Sequence, residues 1–241
     1  MDRDSKCLAI VVRTMKVREN DRLITLLSPD KGLFDVYVYG ARKSVKSVKA
    51  PLYTEGVFSL YQKGEGGKIS LKDIDVISTH DGVSESLEST VAASLFSELV
   101  IKGKTHDAAV YKLFAEAMDA LESEVTDRVI AVFILSFLSL SGLSGDYVAC
   151  PSCQKSYGLD ETLGFSAPLG VAVCSECDTM NGELILPKNA RLYAARVLEL
   201  PFKEAIQLNI SQEQVHRIAG YLKRCLRYSF PSHLNTLDLG I

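Results

Sequence analysis

No apolar stretch in this 241-residue chain is long enough to cross a bilayer. The longest, Val129 to Leu140, runs twelve residues, whereas a spanning helix needs about twenty, so it reads as a buried core helix and no membrane association is expected. Residues Met1 to Lys6 are charged and lack an apolar leader core, which points to a reducing, cytoplasmic setting. Enzyme motifs are also missing. There is no His-Glu-x-x-His, no Gly-x-Ser-x-Gly elbow, and the stretch Gly64-Glu65-Gly66-Gly67-Lys68-Ile69 lacks both the spacing and the hydroxyl residue that a phosphate loop needs. A zinc deaminase would place Pro before its Cys-x-x-Cys and Glu two residues after an upstream His. Here Ala149 precedes Cys150, and neither His80 nor His106 is followed by that Glu. No catalysis is expected, and so no enzyme.

What the chain does have is four cysteines in two pairs, Cys150-Pro-Ser-Cys153 and Cys174-Ser-Glu-Cys177, separated by twenty residues. Each Cys-x-x-Cys turn aims two thiolates at one centre, and two turns close a tetrahedral shell with no position left for water. The reading is therefore a structural Zn2+ site held by Cys150, Cys153, Cys174 and Cys177; a redox pair or simple packing of the thiols is the competing account. Between the pairs, Tyr157-Gly158, Leu163-Gly164-Phe165 and Pro168-Leu169-Gly170 suggest turns and short strands, too little apolar surface to fold without a metal. Cys7 and Cys225 stand alone and read as small buried side chains.

Charge is distributed unevenly although the total is only −3. Residues 1–80 carry a net +4, residues 81–149 a net −7, residues 150–182 a net −3 and residues 183–241 a net +3. Basic ends around an acidic middle are compatible with nucleic acid at the ends and proteins at the centre, and equally with ordinary solvated faces. The same boundaries give the expected domains: a barrel over 1–80, a helical domain in two parts (81–149 and 183–241), and a metal-binding insert at 150–182.

Five short β-branched or aromatic runs lie in the first segment: Leu8 to Val12, Arg22 to Leu27, Leu33 to Tyr39, Tyr53 to Tyr61 and Lys68 to Val76. Their number and length suit a small closed barrel of the OB-fold kind. Arg42, Lys43, Lys46 and Lys49 sit on the loop after Gly40 and are the first candidates for phosphate contact, with Arg13 and Arg22 as weaker ones. Phe34, Tyr37, Tyr39, Tyr53, Phe58 and Tyr61 could stack bases, although aromatic residues in strands are more often core.

From residue 84 the period becomes helical. Val91, Leu95 and Leu99 mark one helix; Val110 to Leu121 a second, capped by Asp107; and a third, capped by Thr126, runs to Leu140. Pro187 opens a helix through Leu200, and Ser211 with Gln214 forms a capping box for a last helix to about Tyr228. On that helix Arg217, Lys223, Arg224 and Arg227 gather opposite the apolar face, so Arg224 and Arg227 join the phosphate candidates, a solvated face being the plain alternative. The fold class is thus α+β and multi-domain.

This order of elements resembles the bacterial recombination mediator family RecO. The resemblance is carried by Ala9-Ile10-Val11-Val12-Arg13-Thr14, by Glu19-Asn20-Asp21-Arg22-Leu23-Ile24-Thr25-Leu26-Leu27, by Gly32, by Gly40-Ala41-Arg42-Lys43 and by the four cysteines, and it spans nearly the whole chain. It implies an OB-fold that binds single- and double-stranded DNA, annealing of complementary strands, and loading of RecA onto strands coated by single-stranded DNA-binding protein, with RecR as partner. Residue by residue it extends only to Arg42, Lys43 and the cysteines. The few basic residues of the zinc segment favour an architectural role for it. The alternative from another class is a zinc-containing protein-interaction scaffold that does not touch nucleic acid.

Overall fold

The computed structural model describes residues 4–40, 50–103 and 107–239. Five strands, β1 (Asp4–Lys16), β2 (Arg22–Ser28), β3 (Gly32–Val38), β4 (Glu55–Gln62) and β5 (Ile69–Ser78), close into a barrel in the order β1-β2-β3-β5-β4. The long first strand makes closure possible. Its early residues, Asp4 to Ile10, pair with β4 and its later ones, Ile10 to Lys16, with β2, while a bulge between Val11 and Arg13 bends it between the two partners. Among the described residues only the β3–β5 pairing is parallel. Closure buries Ala9, Val11, Ile24, Leu26, Val36, Val38, Phe58 and Leu60 as one core, with Cys7 among them.

Six α-helices follow among the described residues: α1 (Leu87–Gly103), α2 (Ala108–Leu121), α3 (Thr126–Leu140), α4 (Lys188–Glu199), α5 (Phe202–Ala205) and α6 (Gln212–Ser229). The chain forms two compact units, and these cut across the expected boundaries: α2, expected in the helical domain, belongs with the barrel, whereas α1 belongs with everything from Ser123 onward. The physical reason is visible in the contacts of α2. Tyr111 donates its hydroxyl to Glu55 at 2.5 Å, and Asp119 meets the ring of buried His80 at 3.1 Å while the other ring nitrogen faces the Tyr53 carbonyl at 2.8 Å.

In the second unit α3 is the central helix, packed against α1, α4, α5 and α6. Its rings form a stack, with Phe133 3.9 Å from Phe96 and 5.9 Å from Phe137 by centroid. Asp107 caps α2 as expected, accepting from the Val110 amide at 2.9 Å, and Ser211 with Gln214 closes a full capping box on α6. Thr126 does not cap α3. Val125 holds that position, and the Thr126 hydroxyl instead meets Ser89 on α1 at 3.3 Å. Between α3 and α4, β6 (Gly164–Ser166) and β7 (Val171–Val173) form a hairpin.

The carboxyl-terminal segment is tied down by one carboxylate. Glu98 accepts from the Asn235 amide at 2.8 Å, from the Thr236 amide and hydroxyl at 2.8 and 2.7 Å, and from Lys102 at 2.6 Å. Burial opposes ionisation, but these donors outweigh it and hold Glu98 down to about 2. A depressed folded-state value stabilises above the unfolded one near 4.5 and is lost as pH falls toward 2. Glu98→Gln should therefore cost about 1–3 kcal/mol in urea unfolding at pH 7, and the gap from the native protein should close between about pH 4.5 and pH 2.

Candidate nucleic-acid interface and metal centre

Alternation along the closed sheet decides which barrel side chains reach solvent. On β3, Val36 and Val38 point inward, while Asp35 and Tyr37 point outward, followed by Tyr39 just past the strand end. Register then sets rows across the outer surface. Arg13, Thr25 and Asp35 lie side by side: the Arg13 Nε donates to the Thr25 hydroxyl at 3.1 Å, that hydroxyl donates to Asp35 at 2.6 Å, and the guanidinium lies 3.5 Å from the same carboxylate. Arg13 is thus engaged in pairing three strands. Arg22 opens β2, half-buried, and makes no ion pair among the described residues. Arg42, Lys43, Lys46 and Lys49 lie outside the described residues. They follow Gly40, whose positive φ of 65° turns the chain and whose amide donates to Asp21 at 2.9 Å.

The aromatic candidates separate cleanly. Phe58 and Tyr53 are core; Phe34, Tyr37 and Tyr61 are half-buried; Tyr39 is 55% exposed. Tyr37 and Tyr39 stack at 5.8 Å with ring planes 14° apart, and the Lys68 ammonium lies 4.6 Å from the Tyr37 centroid.

On α6 the expected cationic face divides in use. Arg227 donates to the Leu237 carbonyl at 2.9 Å and pairs with Asp238 at 3.6 Å, and Arg217 pairs with Glu213 at 2.5 Å. Arg224 is exposed and makes no ion pair among the described residues. It borders a groove of about 990 Å³ between α4 and α6, whose floor includes Pro187, Tyr193, Ile210 and Ile218 and whose rim carries Arg196, Arg217 and Arg224. The sequence pattern did not reveal this groove, because its floor combines α4, α6 and the turn at 208–210.

The four thiols come together. All four sulfurs lie within 4.8 Å of one another, none is in a disulfide, and the Cys153 and Cys174 sulfurs are 3.7 Å apart. Sulfurs bonded at about 2.3 Å to one tetrahedral ion would be separated by about 3.8 Å, so the donor set fits a closed metal centre. Burial opposes ionisation of Cys150, but amides of Cys174, Cys153 and Ser152 outweigh it and hold that thiol at about 6. Burial pushes Cys174 the other way, up to about 12. Four thiols this close cannot all ionise unless a cation compensates them.

Several contacts fix the insert to its own unit. Buried Arg191 of α4 donates to the carbonyls of Tyr147, Gly158 and Leu159 at 3.1, 2.9 and 3.1 Å, with Tyr157 beside it. Gly170, at φ +67°, brings the β6–β7 turn so close to α6 that an added Cβ would lie 2.8 Å from the Ser229 Cα, and its carbonyl accepts from the Ser229 hydroxyl at 2.5 Å. Sequence reading missed Arg191, since nothing in its helical context distinguishes a buried arginine from an exposed one.

Two family models cover the chain: one described as Recombination protein O N terminal matches residues 1–80, and one described as Recombination protein O C terminal matches residues 84–238. Among similar proteins, the DNA repair protein RecO of Clostridium novyi is 24% identical over 97% of this chain and 92% of its own length. The protein of the same name from Syntrophotalea carbinolica is 29% identical over 71% of this chain and 68% of its own. That from Bacillus subtilis is 27% identical over 72% and 68%.

The metal centre predicts that Cys174→Ser abolishes stoichiometric metal and unfolds the insert. Hydrogen exchange should then rise across residues 147–186 while the barrel strands keep their protection. Arg191→Met should loosen the same segment with its metal retained, at a cost of about 2–5 kcal/mol for the lost carbonyl contacts.

Proposed function

The chain belongs to the recombination protein O family of DNA repair proteins, and we propose that it acts as a non-enzymatic recombination mediator. In this reading it binds single- and double-stranded DNA through the barrel, anneals complementary strands, and helps load RecA onto DNA coated by single-stranded DNA-binding protein, together with RecR. It works in the cytoplasm, at the nucleoid. No helix among the described residues is long and apolar enough to cross a membrane. The reading is carried by one observation: a closed five-stranded barrel whose β3 leads directly into a segment with four cations, Arg42, Lys43, Lys46 and Lys49. Annealing needs no bond chemistry. Two polyanions brought to one cationic surface lose much of their mutual repulsion, and counterion release drives the association.

The ion we assign to the thiol centre is zinc, because four thiolates in a closed tetrahedron suit a redox-inert d10 ion and leave no open position for catalysis. Its role is to hold the insert folded. Metal analysis of protein purified without added metal should return one zinc per chain and no visible absorption, whereas an iron centre would be coloured.

The α4–α6 groove suits a protein partner. Its apolar floor and three rim arginines complement an acidic segment with apolar anchors, and we assign it to the single-stranded DNA-binding protein. Arg224→Glu should weaken that protein's binding at least about tenfold; unchanged partner binding would remove the assignment.

The central test is anisotropy with a fluorescent single strand across a salt series. Affinity should fall linearly on a log–log plot, and Lys43→Ala with Lys46→Ala should make the slope shallower by about 1.4, two phosphates' worth for a single strand. Absence of binding in dilute buffer would instead favour a protein-interaction scaffold.

A further inference from the structure

The outer surface of the barrel carries apolar side chains that its core does not explain. Register aligns Met15, Leu23, Tyr37 and Ser70 in one row across β1, β2, β3 and β5. Met15 is 46% exposed, Leu23 and Tyr37 are half-buried, and Tyr39 continues the row's aromatic end at the rim of β3. A stacked tyrosine pair with one half-buried and one exposed ring leaves aromatic surface in water without adding to the interior. Lys68 sits over one of the rings and makes no ion pair among the described residues. The one carboxylate of β3, Asp35, pairs with Arg13 and accepts from the Thr25 hydroxyl, and Asp21 accepts from the Gly40 amide. The face is therefore aromatic, and Tyr39 stands three residues before Arg42, the first of the four cations.

We propose that Tyr37 and Tyr39 form a base-stacking platform, which makes single-stranded DNA, rather than duplex, the preferred ligand of the barrel. The proposal rests on the DNA-binding reading above and adds to it. Cations alone grip phosphates of either form, since both present the same backbone charge chemistry. Ring stacking discriminates, because only an unpaired strand can turn its bases out onto an aromatic face, and it is tolerant of sequence because every base has a π-face. Lys68 beside Tyr37 places a positive charge where the phosphate of a stacked nucleotide would run. Tyr39, the more exposed ring, has the larger area left to offer.

The chain contains no tryptophan, so Tyr39→Trp introduces a single indole reporter. Its fluorescence should be quenched by a thymidine oligonucleotide and left nearly unchanged by a duplex of equal length. In parallel, the double variant Tyr37→Ala, Tyr39→Ala should lose about tenfold or more in single-strand affinity by anisotropy, with duplex affinity and the salt slope unaltered. Tyr37→Phe with Tyr39→Phe, which keeps both rings, should retain single-strand binding. Equal loss for both ligands, or no loss for either, overturns the platform while leaving the phosphate grip of Lys43 and Lys46 standing. A double variant that binds both DNAs normally but fails to bind a protein partner also overturns it. If the native chain binds neither form in dilute buffer, the DNA-binding reading fails, and the platform with it.

Discussion

Closure of the sheet governs what the barrel can offer to a ligand. Once β4 pairs back onto β1, each strand has an inner and an outer row, and the one-residue alternation leaves no freedom about which side chains face water. Phe58 and Leu60 go in; Tyr61 comes out. The bulge in β1 matters for the same reason. By inserting one residue between Val11 and Arg13 it lets a single strand serve two neighbours and places Arg13 beside Thr25 and Asp35. Removing that bulge would move every outer residue of the later half of β1 to the inner face, exchanging the surface for the core.

A second constraint acts in the helical unit, where burying charge demands compensation. Arg191 is 5% exposed, and among the described residues its side-chain hydrogen bonds go to carbonyls, with the Tyr157 ring beside the guanidinium. A guanidinium in that setting is stable only while the chain of the insert wraps it with the oxygens of Tyr147, Gly158 and Leu159. The thiol centre poses the complementary problem, negative charge that needs a cation. Both requirements are met within the same short segment, so the thiol centre and Arg191 each contribute to its fold. This explains how so small a hairpin keeps a fixed place on α6, through Gly170 and Ser229 and through the ring contact of Phe165 with Tyr228.

Much of the architecture was legible because it follows local periodicity. The strands, the Asp107 cap, the Ser211–Gln214 box and the paired cysteines each have a signature within a few residues, and each recurs in the structure. What was not legible depends on separation along the chain. Thr126 satisfies the sequence rule for a cap, yet its hydroxyl faces Ser89, which no local window contains. The membership of α2 in the barrel unit is set by Glu55, Tyr53 and His80, all far upstream. Which aromatics are exposed could have been read from the alternation of 35, 37 and 39, but only after the inward residues of β3 had been fixed by pairing on both sides.

That reassignment of α2 changes the electrostatic argument. Taken alone, residues 1–80 are basic, but the barrel unit also includes residues 81–86 and 104–122, and its sequence then holds sixteen cations and sixteen anions. A neutral unit cannot attract a polyanion at long range, since beyond about 10 Å the field of exposed charges is screened at ordinary salt. Affinity must then come from local separation of charge. Five of the sixteen anions meet donors within the unit: Glu55 on Tyr111, Asp119 on His80, Glu122 on the Gly82 amide, Asp4 on Lys72, Asp35 on Arg13. Each faces a donor of its own unit. Two cations near β3, Arg22 and Lys68, are not matched in this way and have no carboxylate partner among the described residues. The proposed platform asks for a ligand that supplies both phosphates and flat apolar faces at short range, a requirement the overall charge of −3 does not oppose.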